Sequence, residues 1–202
     1  MSDIARLRRF IHDMTRLVDR TGSDETAIRE DGGAMLRNLV SRDDWLPDAF
    51  AVPDASAYRQ YLLWCDPLER FSVVSFVWGP GQATPVHDHT VWGLIGMLRG
   101  AEDGVRYAVP EPGRPMVRTG AERLTPGAIG AVSPAIGDIH TVANALADRA
   151  SISVHVYGAN IGAVARHTYD PATGLTKGFV SGYSSETVPN LFDRSAEVRA
   201  AL

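Results

Sequence analysis

The sequence predicts a mainly β fold, a barrel or sandwich of short antiparallel strands preceded by a helical segment, and three observations lead there. From Tyr58 onward, short runs rich in β-branched and aromatic residues recur: YLLWC, FSVVSFVW, VWGLIGML, VRYAV, MVRTGAERL, AIGAVS, IHTVAN and SISVHVY. Each is bounded by a break such as Asp-Pro, Gly-Pro, Pro-Gly or Ala-Asp-Arg. Before Tyr58 the apolar residues recur instead at three- and four-residue steps. The chain has 202 residues, enough for one substantial core, and a β barrel of that length is more often one unit than two. One domain over residues 1–202 is expected, with 1–45 helical and packed on a barrel spanning about 58–185.

In order along the chain, Ile4, Leu7, Ile11, Met14 and Val18 predict a helix over 3–19, with Ser2 and Asp3 as cap candidates and His12 on the wet side. A second helical stretch runs from about Asp24, after a possible Ser23 cap, to about Val40. Ile28, Met35, Leu36, Leu39 and Val40 form its apolar stripe, while Gly32-Gly33 weakens its middle and leaves one helix or two undecided. Residues 43–54, DDWLPDAFAVPD, read as a turn-rich bridge. A late hairpin is expected around Asp170-Pro171-Ala172-Thr173-Gly174, followed by a polar tail, FVSGYSSETVPNLFD.

Composition excludes several classes of function. A net charge of −4 without a basic run gives no electrostatic footprint for nucleic acid or an anionic membrane. Cys65 is the only cysteine, so no intrachain disulfide forms, and a reducing compartment is the natural setting. No secretory signal or membrane span is evident, so a soluble, cytoplasmic protein is expected. The oligomeric state stays open.

The stretch GQATPVHDHTVWGLIGMLRG, residues 81–100, carries His87 and His89 two positions apart. In extended chain, side chains at i and i+2 leave the same face about 6–7 Å apart, so two imidazoles can converge on one metal at about 2.0–2.1 Å per bond. About fifty residues later, GDIHTVAN offers Gly137, His140 and Asn144, on a strand placed to return beside the first. In SISVHVY, Ile152, Val154 and Val156 alternate with Ser153, His155 and Tyr157. The polar three share a face, where Ser153 can hold His155 and His155 the Tyr157 hydroxyl.

Gly81, His87-x-His89 and Gly100, followed by Pro134, Gly137, His140 and Asn144, resemble the two motifs of the cupin superfamily. The resemblance implies a cupin jelly-roll barrel with an N-terminal helical segment. Many cupins carry a carboxylate four residues after the His-x-His. Gly93 stands there, so the resemblance implies a site of three histidines alone. VHDH, GDIHTVAN and SVHVYGANIG together resemble the thiol dioxygenases over roughly residues 44–192. This implies Fe(II) held by His87, His89 and His140, with Ser153, His155 and Tyr157 as a triad beside it. Cysteine dioxygenases of the animal type carry a cysteine that cross-links to the tyrosine and an early-strand arginine. Gly93 and Gln60 fall at those positions, and Arg59 beside Gln60 reads as an exposed strand residue. Both departures, with Arg166 in GANIGAVARH, resemble the bacterial 3-mercaptopropionate dioxygenases, in which Arg166 would bind the substrate carboxylate.

The function so implied is addition of both atoms of O2 to the sulfur of 3-mercaptopropionate, giving 3-sulfinopropionate, with a small thiol acid and O2 as the only partners. Three neutral imidazoles leave the full charge on the metal and up to three facial positions free, which suits an anionic thiolate and O2. The competing readings are a cysteine dioxygenase lacking the cross-link, a cupin isomerase or carbon–carbon cleaving dioxygenase, and a non-enzymatic metal or small-ligand binder.

Overall fold

The computed structural model describes residues 4–22, 24–193 and 198–199. The cap candidates Ser2, Asp3 and Ser23 lie outside them. Helix α1, Ile4–Thr21, buries Leu7, Phe10, Ile11, Met14, Leu17 and Val18 along one face and leaves His12 exposed. It runs two residues past the expected end and stops where Gly22 turns left-handed at φ 57°, its N–H bonding the Val18 carbonyl.

Asp24 caps the next helical run itself, its Oδ1 accepting the N–H groups of Thr26 and Ala27. Helix α2, Glu25–Ala27, passes through a π turn at Ile28–Gly32 into α3, Gly33–Val40. The question of one helix or two thus resolves as a single path with a bulge. Gly32 does more than weaken it: a Cβ there would lie 3.1 Å from Leu94 Cδ1 and 3.4 Å from Met14 Sδ. Its missing side chain lets the run press against α1 and the sheet below.

The strands are β1 Arg59–Cys65, β2 Ser72–Trp78, β3 Val86–His87, β4 Gly93–Arg99, β5 Glu102–Tyr107, β6 Arg118–Leu124, β7 Ile129–Val132, β8 His140–Asn144, β9 Ser151–Tyr157, β10 Arg166–Tyr169 and β11 Thr176–Phe179. They form two antiparallel sheets, ordered β1-β2-β9-β4-β7 and β11-β10-β3-β8-β5-β6. The fold is the mainly β jelly-roll barrel with helices at its N-terminal end that the strand runs and the family resemblance pointed to.

The first sheet is covered on both faces, which explains why every residue of β2 and β9 is buried. Val73, Val77, Ile152, Val154 and Val156 face the helices, with Leu7, Leu17, Leu36 and Trp45. Val74, Phe76, Trp78 and Tyr157 face the barrel interior with Val142 of the second sheet. Burying each such side chain contributes about 1.5–3 kcal/mol.

Two segments are better packed than their composition suggests. The bridge over 43–54 contains a 3-10 turn, Asp48–Phe50, and buries Trp45, Leu46 and Phe50, with Trp45 Nε1 donating to the Leu39 carbonyl at 3.0 Å. The polar tail sends Leu191 into the helix-side core, where Arg8 donates to its carbonyl. The expected hairpin joins β10 to β11, its turn closed by Asp170 Oδ1 accepting from Ala172 and Thr173. It lays β10 alongside β3 and carries Arg166 to the barrel mouth.

Candidate metal centre

Strands β3 and β8 pair antiparallel with His87 directly opposite His140. His89 lies two residues beyond His87, past the end of β3, so strand geometry alone does not hold it. Asp138 does. Its Oδ2 accepts the backbone N–H of His89 at 2.9 Å and of Thr90 at 2.7 Å, and its Oδ1 accepts from His89 Nδ1 at 2.9 Å. Thr90 sits at φ 60°, a left-handed turn that ends the segment.

The three ring centroids form a nearly equilateral triangle with sides of 4.8, 4.9 and 4.9 Å. One nitrogen from each ring lies within 4.8 Å of the others. His87 Nδ1 donates to the Pro85 carbonyl at 3.1 Å and His89 Nδ1 to Asp138, which leaves the Nε2 lone pair of each for a ligand. His89 Nε2 is buried without a hydrogen-bond partner. Burial, reinforced by the neighbouring imidazoles, lowers His87 to about 3 and His140 well below the ordinary histidine range, so both rings are neutral donors. The buried, unpartnered Nε2 of His89 beside the neutral rings of His87 and His140 fits a borderline divalent metal. Among the described residues this cluster includes no carboxylate ligand.

The polar row on β9 is close-coupled. His155 Nε2 lies 2.8 Å from Ser153 Oγ and His155 Nδ1 lies 2.8 Å from the Tyr157 hydroxyl, all three side chains buried. The Tyr157 ring stacks on His89 with centroids 5.3 Å apart, which brings the row to the metal cluster. Burial pushes the Tyr157 phenol well above its ordinary pKa and His155 well below its own, so both are neutral. Gly93 of β4 pairs with Tyr157, and a Cβ at Gly93 would meet the Tyr157 ring and Val132 Cγ2 at 3.0 Å.

A cavity of about 280 Å³ opens from this cluster. Its walls include His87, His140, His155 and Tyr157, the apolar Phe76, Trp78 and Val142, and the cations Arg166 and Lys177. Arg166 is only 5% exposed; it donates to Ser181 Oγ at 2.6 Å, and its guanidinium carbon lies 4.7 Å from the Phe179 ring centre. Its Nε has no partner, and it forms no ion pair among the described residues. Gln60 also lines the cavity but spends its amide on the Gly182 carbonyl at 2.7 Å. Arg59 is ion-paired to Asp54, and Cys65 is not among the lining residues.

The sequence model of the cysteine dioxygenase type I family matches residues 34–171, about two thirds of the chain and every residue of the imidazole cluster and the β9 row. This chain belongs to that family. The family is one of iron-dependent thiol dioxygenases acting on small thiols with O2, and the three-histidine cluster fits the metal. Among solved structures the chain is similar to a conserved protein with a double-stranded β-helix domain from Klebsiella pneumoniae subsp. pneumoniae MGH 78578, at 15% identity over 68% of this chain and 96% of that one, TM-score 0.45. It is also similar to a cupin 2 domain-containing protein from Halorhodospira halophila, at 18% identity over 58% and 72% of the two chains, TM-score 0.40. No helix among the described residues is long and apolar enough to cross a membrane.

Sequence reasoning missed three supporting groups. Asp138, two residues before His140, orients a histidine from the other motif. Asp88, the middle residue of His-x-His, turns away from the cluster and takes His167 N–H, His167 Nδ1 and the Tyr169 hydroxyl at 2.7–3.0 Å, tying β10 to β3. Tyr58, stacked on Trp78 with centroids 4.5 Å apart, closes the apolar wall. A carboxylate adjacent to a histidine motif was the available signal for the first two. Tyr58 carried none.

Proposed function

We propose that this chain is a non-haem Fe(II) thiol dioxygenase that adds both atoms of O2 to the sulfur of 3-mercaptopropionate, giving 3-sulfinopropionate. The observation that carries the substrate assignment is the buried Arg166 guanidinium in the cavity wall, which has no counter-charge among the described residues, with the exposed Lys177 as a second cation of the lining. A buried charge without a partner costs several kcal/mol, so the bound state has to supply the counter-charge. Arg166 fits a carboxylate through parallel hydrogen bonds. Among the described residues the cavity lining holds no Asp or Glu to receive the ammonium of an amino thiol, which favours a simple mercapto acid over cysteine.

Iron, when held by His87, His89 and His140, supplies the redox chemistry that joins O2 to sulfur. The chain's residues do the rest. Arg166 anchors the acid in the cavity that His87 and His140 also line, which leaves the thiol end for the metal. Phe76, Trp78 and Val142 exclude water, so the charge interactions act in a low-dielectric space. Ser153 and His155 orient the Tyr157 hydroxyl to donate a hydrogen bond into the cavity, where negative charge develops as oxygen is reduced. Gln60, with its amide engaged by Gly182, adds no second charge.

The test is oxygen consumption by the iron-loaded protein across 3-mercaptopropionate, cysteine, cysteamine and mercaptosuccinate, repeated with Arg166→Ala. The acid should be preferred, and the substitution should cost about 2–5 kcal/mol in kcat/KM for it, the range for breaking a buried charge pair. Cysteamine, lacking a carboxylate, should be poor with either protein. Equal losses on both thiols, or none on the acid, would remove Arg166 from the site.

A further inference from the structure

The β9 row does not end at Ser153. Ser151 continues it on the same face, and at that end a side chain crosses from the other sheet: Glu102 of β5, 1% exposed. Its Oε1 accepts from Ser151 Oγ at 3.2 Å, its Oε2 is buried with no partner, and Ser153, the next residue of the row on the same face, is the hydroxyl that couples to this carboxyl electrostatically. Among the described residues no Arg, Lys or His forms an ion pair with it. Its neighbour across the ladder, Asn144, is committed to the Trp78 and Arg149 carbonyls and the Leu146 N–H. A carboxyl in this setting has one way to satisfy its second oxygen, which is to carry a proton and donate it. Burial accordingly raises it to about 8.

The direction of the whole row depends on that proton. Neutral His155 carries one N–H, on Nδ1 or on Nε2. An ionised Glu102 would draw the Ser153 hydroxyl toward itself and leave Ser153 Oγ to accept from Nε2–H. Tyr157 would then donate to Nδ1, and no proton would face the cavity. A carboxyl O–H donated to Ser153 Oγ reverses each bond: Ser153 donates to Nε2, Nδ1–H donates to the Tyr157 oxygen, and the phenol O–H is free to point at the reacting centre.

We propose that Glu102 is a positioning residue that acts through Ser153 to fix the tautomer of His155 and so present the Tyr157 hydroxyl proton to the cavity. This deepens the dioxygenase reading and rests on it for its catalytic consequence, but the tautomer itself is a property of the fold.

The experiment reads the tautomer first. Histidine-selective nitrogen-15 NMR of the full chain loaded with diamagnetic Zn(II) should give the Nδ1–H form of His155 in the native protein. Glu102→Gln should keep it, because the amide accepts from Ser151 and donates to Ser153 as the neutral acid does. Glu102→Leu, which fills the space without a donor, should mix or invert the tautomers. In the iron-loaded proteins, Glu102→Leu should lower kcat for 3-mercaptopropionate about tenfold or more, with KM and iron content retained, and Glu102→Gln should recover most of it. A native His155 protonated on Nε2, or a Glu102→Leu protein with the native tautomer, would overturn the proposal. Should the leucine variant not fold, the native spectrum still decides. A native enzyme inert toward every thiol would remove the functional reading, leaving the tautomer comparison to judge Glu102 alone.

Discussion

Glu102 makes a contribution to the stability of this fold that falls with rising pH, opposite in sign to that of the buried His87, His140 and His155, whose contributions rise with pH up to the ordinary histidine range. In the unfolded chain its carboxyl titrates at 4.5; in the fold, burial raises it to about 8. Below about pH 4.5 both states hold the proton and the residue contributes no pH dependence. Between 4.5 and 8 the unfolded chain releases a proton that the folded chain keeps, so this contribution declines as pH rises and levels off above about 8. At about 1.4 kcal/mol per pH unit, the loss between pH 4.5 and pH 7 is on the order of 3 kcal/mol. Asp54, Asp66, Asp103 and Asp138 are shifted downward by hydrogen bonds and ion pairs, so their contributions are lost in acid and lie below this window. The opposing contributions of His87, His140 and His155 are common to native and variant protein, so they cancel in the comparison. Urea unfolding of metal-free native and Glu102→Gln chains at several pH values from 5 to 8 isolates the carboxyl's contribution. The variant's advantage should grow steadily with pH. Parallel stability curves would mean that the carboxyl is ionised in the fold and would refute the reasoning.

The metal cluster predicts that His140→Ala loses most bound iron, measured by metal analysis after purification, with full occupancy counting against the three-histidine site. Asp138→Asn, which keeps shape but weakens the grip on His89, should reduce iron affinity about 10–100-fold in a competition titration. Tyr157→Phe should keep its iron yet slow thiol oxidation or uncouple O2 uptake from sulfinate formation, read by an oxygen electrode beside product analysis. Gly93→Ala places a methyl 3.0 Å from the Tyr157 ring on one side and Val132 on the other, and overpacking of that kind should cost about 1–3 kcal/mol by thermal unfolding.

The parts of the molecule legible in the sequence are those whose physics is local. Alternation in SISVHVY places Ser153, His155 and Tyr157 on one face because period-2 geometry leaves no other choice, and the interatomic distances of 2.8 Å result from it. His87 and His140 could be matched because each sits in a glycine-framed motif whose strands are neighbours. His89 converged for a reason that spacing did not contain: the strand ends at His87, and Asp138 from the other motif holds the His89–Thr90 turn beyond it. The bridge over 43–54 looked like a spacer because proline and aspartate dominate its local signal, while the burial of Trp45 and Phe50 depends on where the sheet lies beneath them. Glu102 was invisible for the same reason. Its meaning arises only when β5 and β9, in different sheets, bring residues 102 and 151 together.

The charge distribution around the cavity ties the local and the non-local parts to one ligand chemistry. Three imidazole ligands carry no negative charge to offset a bound divalent ion, a neutral Glu102 and a neutral Tyr157 add none, and Arg166 and Lys177 add further positive charge to the lining. A metal site and a buried guanidinium in one cavity lined also by the apolar Phe76, Trp78 and Val142 match a molecule with two anionic ends and an uncharged middle. On the proposed reading, a thiolate and a carboxylate joined by methylenes meet that pattern. An added amine would face the apolar lining with no acceptor of opposite charge, and desolvating it there is disfavoured by more than a contact with a neutral Gln60 could offset. Substituting an acidic residue for Gln60 is therefore the change expected to move preference toward cysteine, and oxygen uptake with cysteine and 3-mercaptopropionate side by side measures it. An unchanged ratio for Gln60→Glu would show that the apolar lining, and not its charge, selects the substrate.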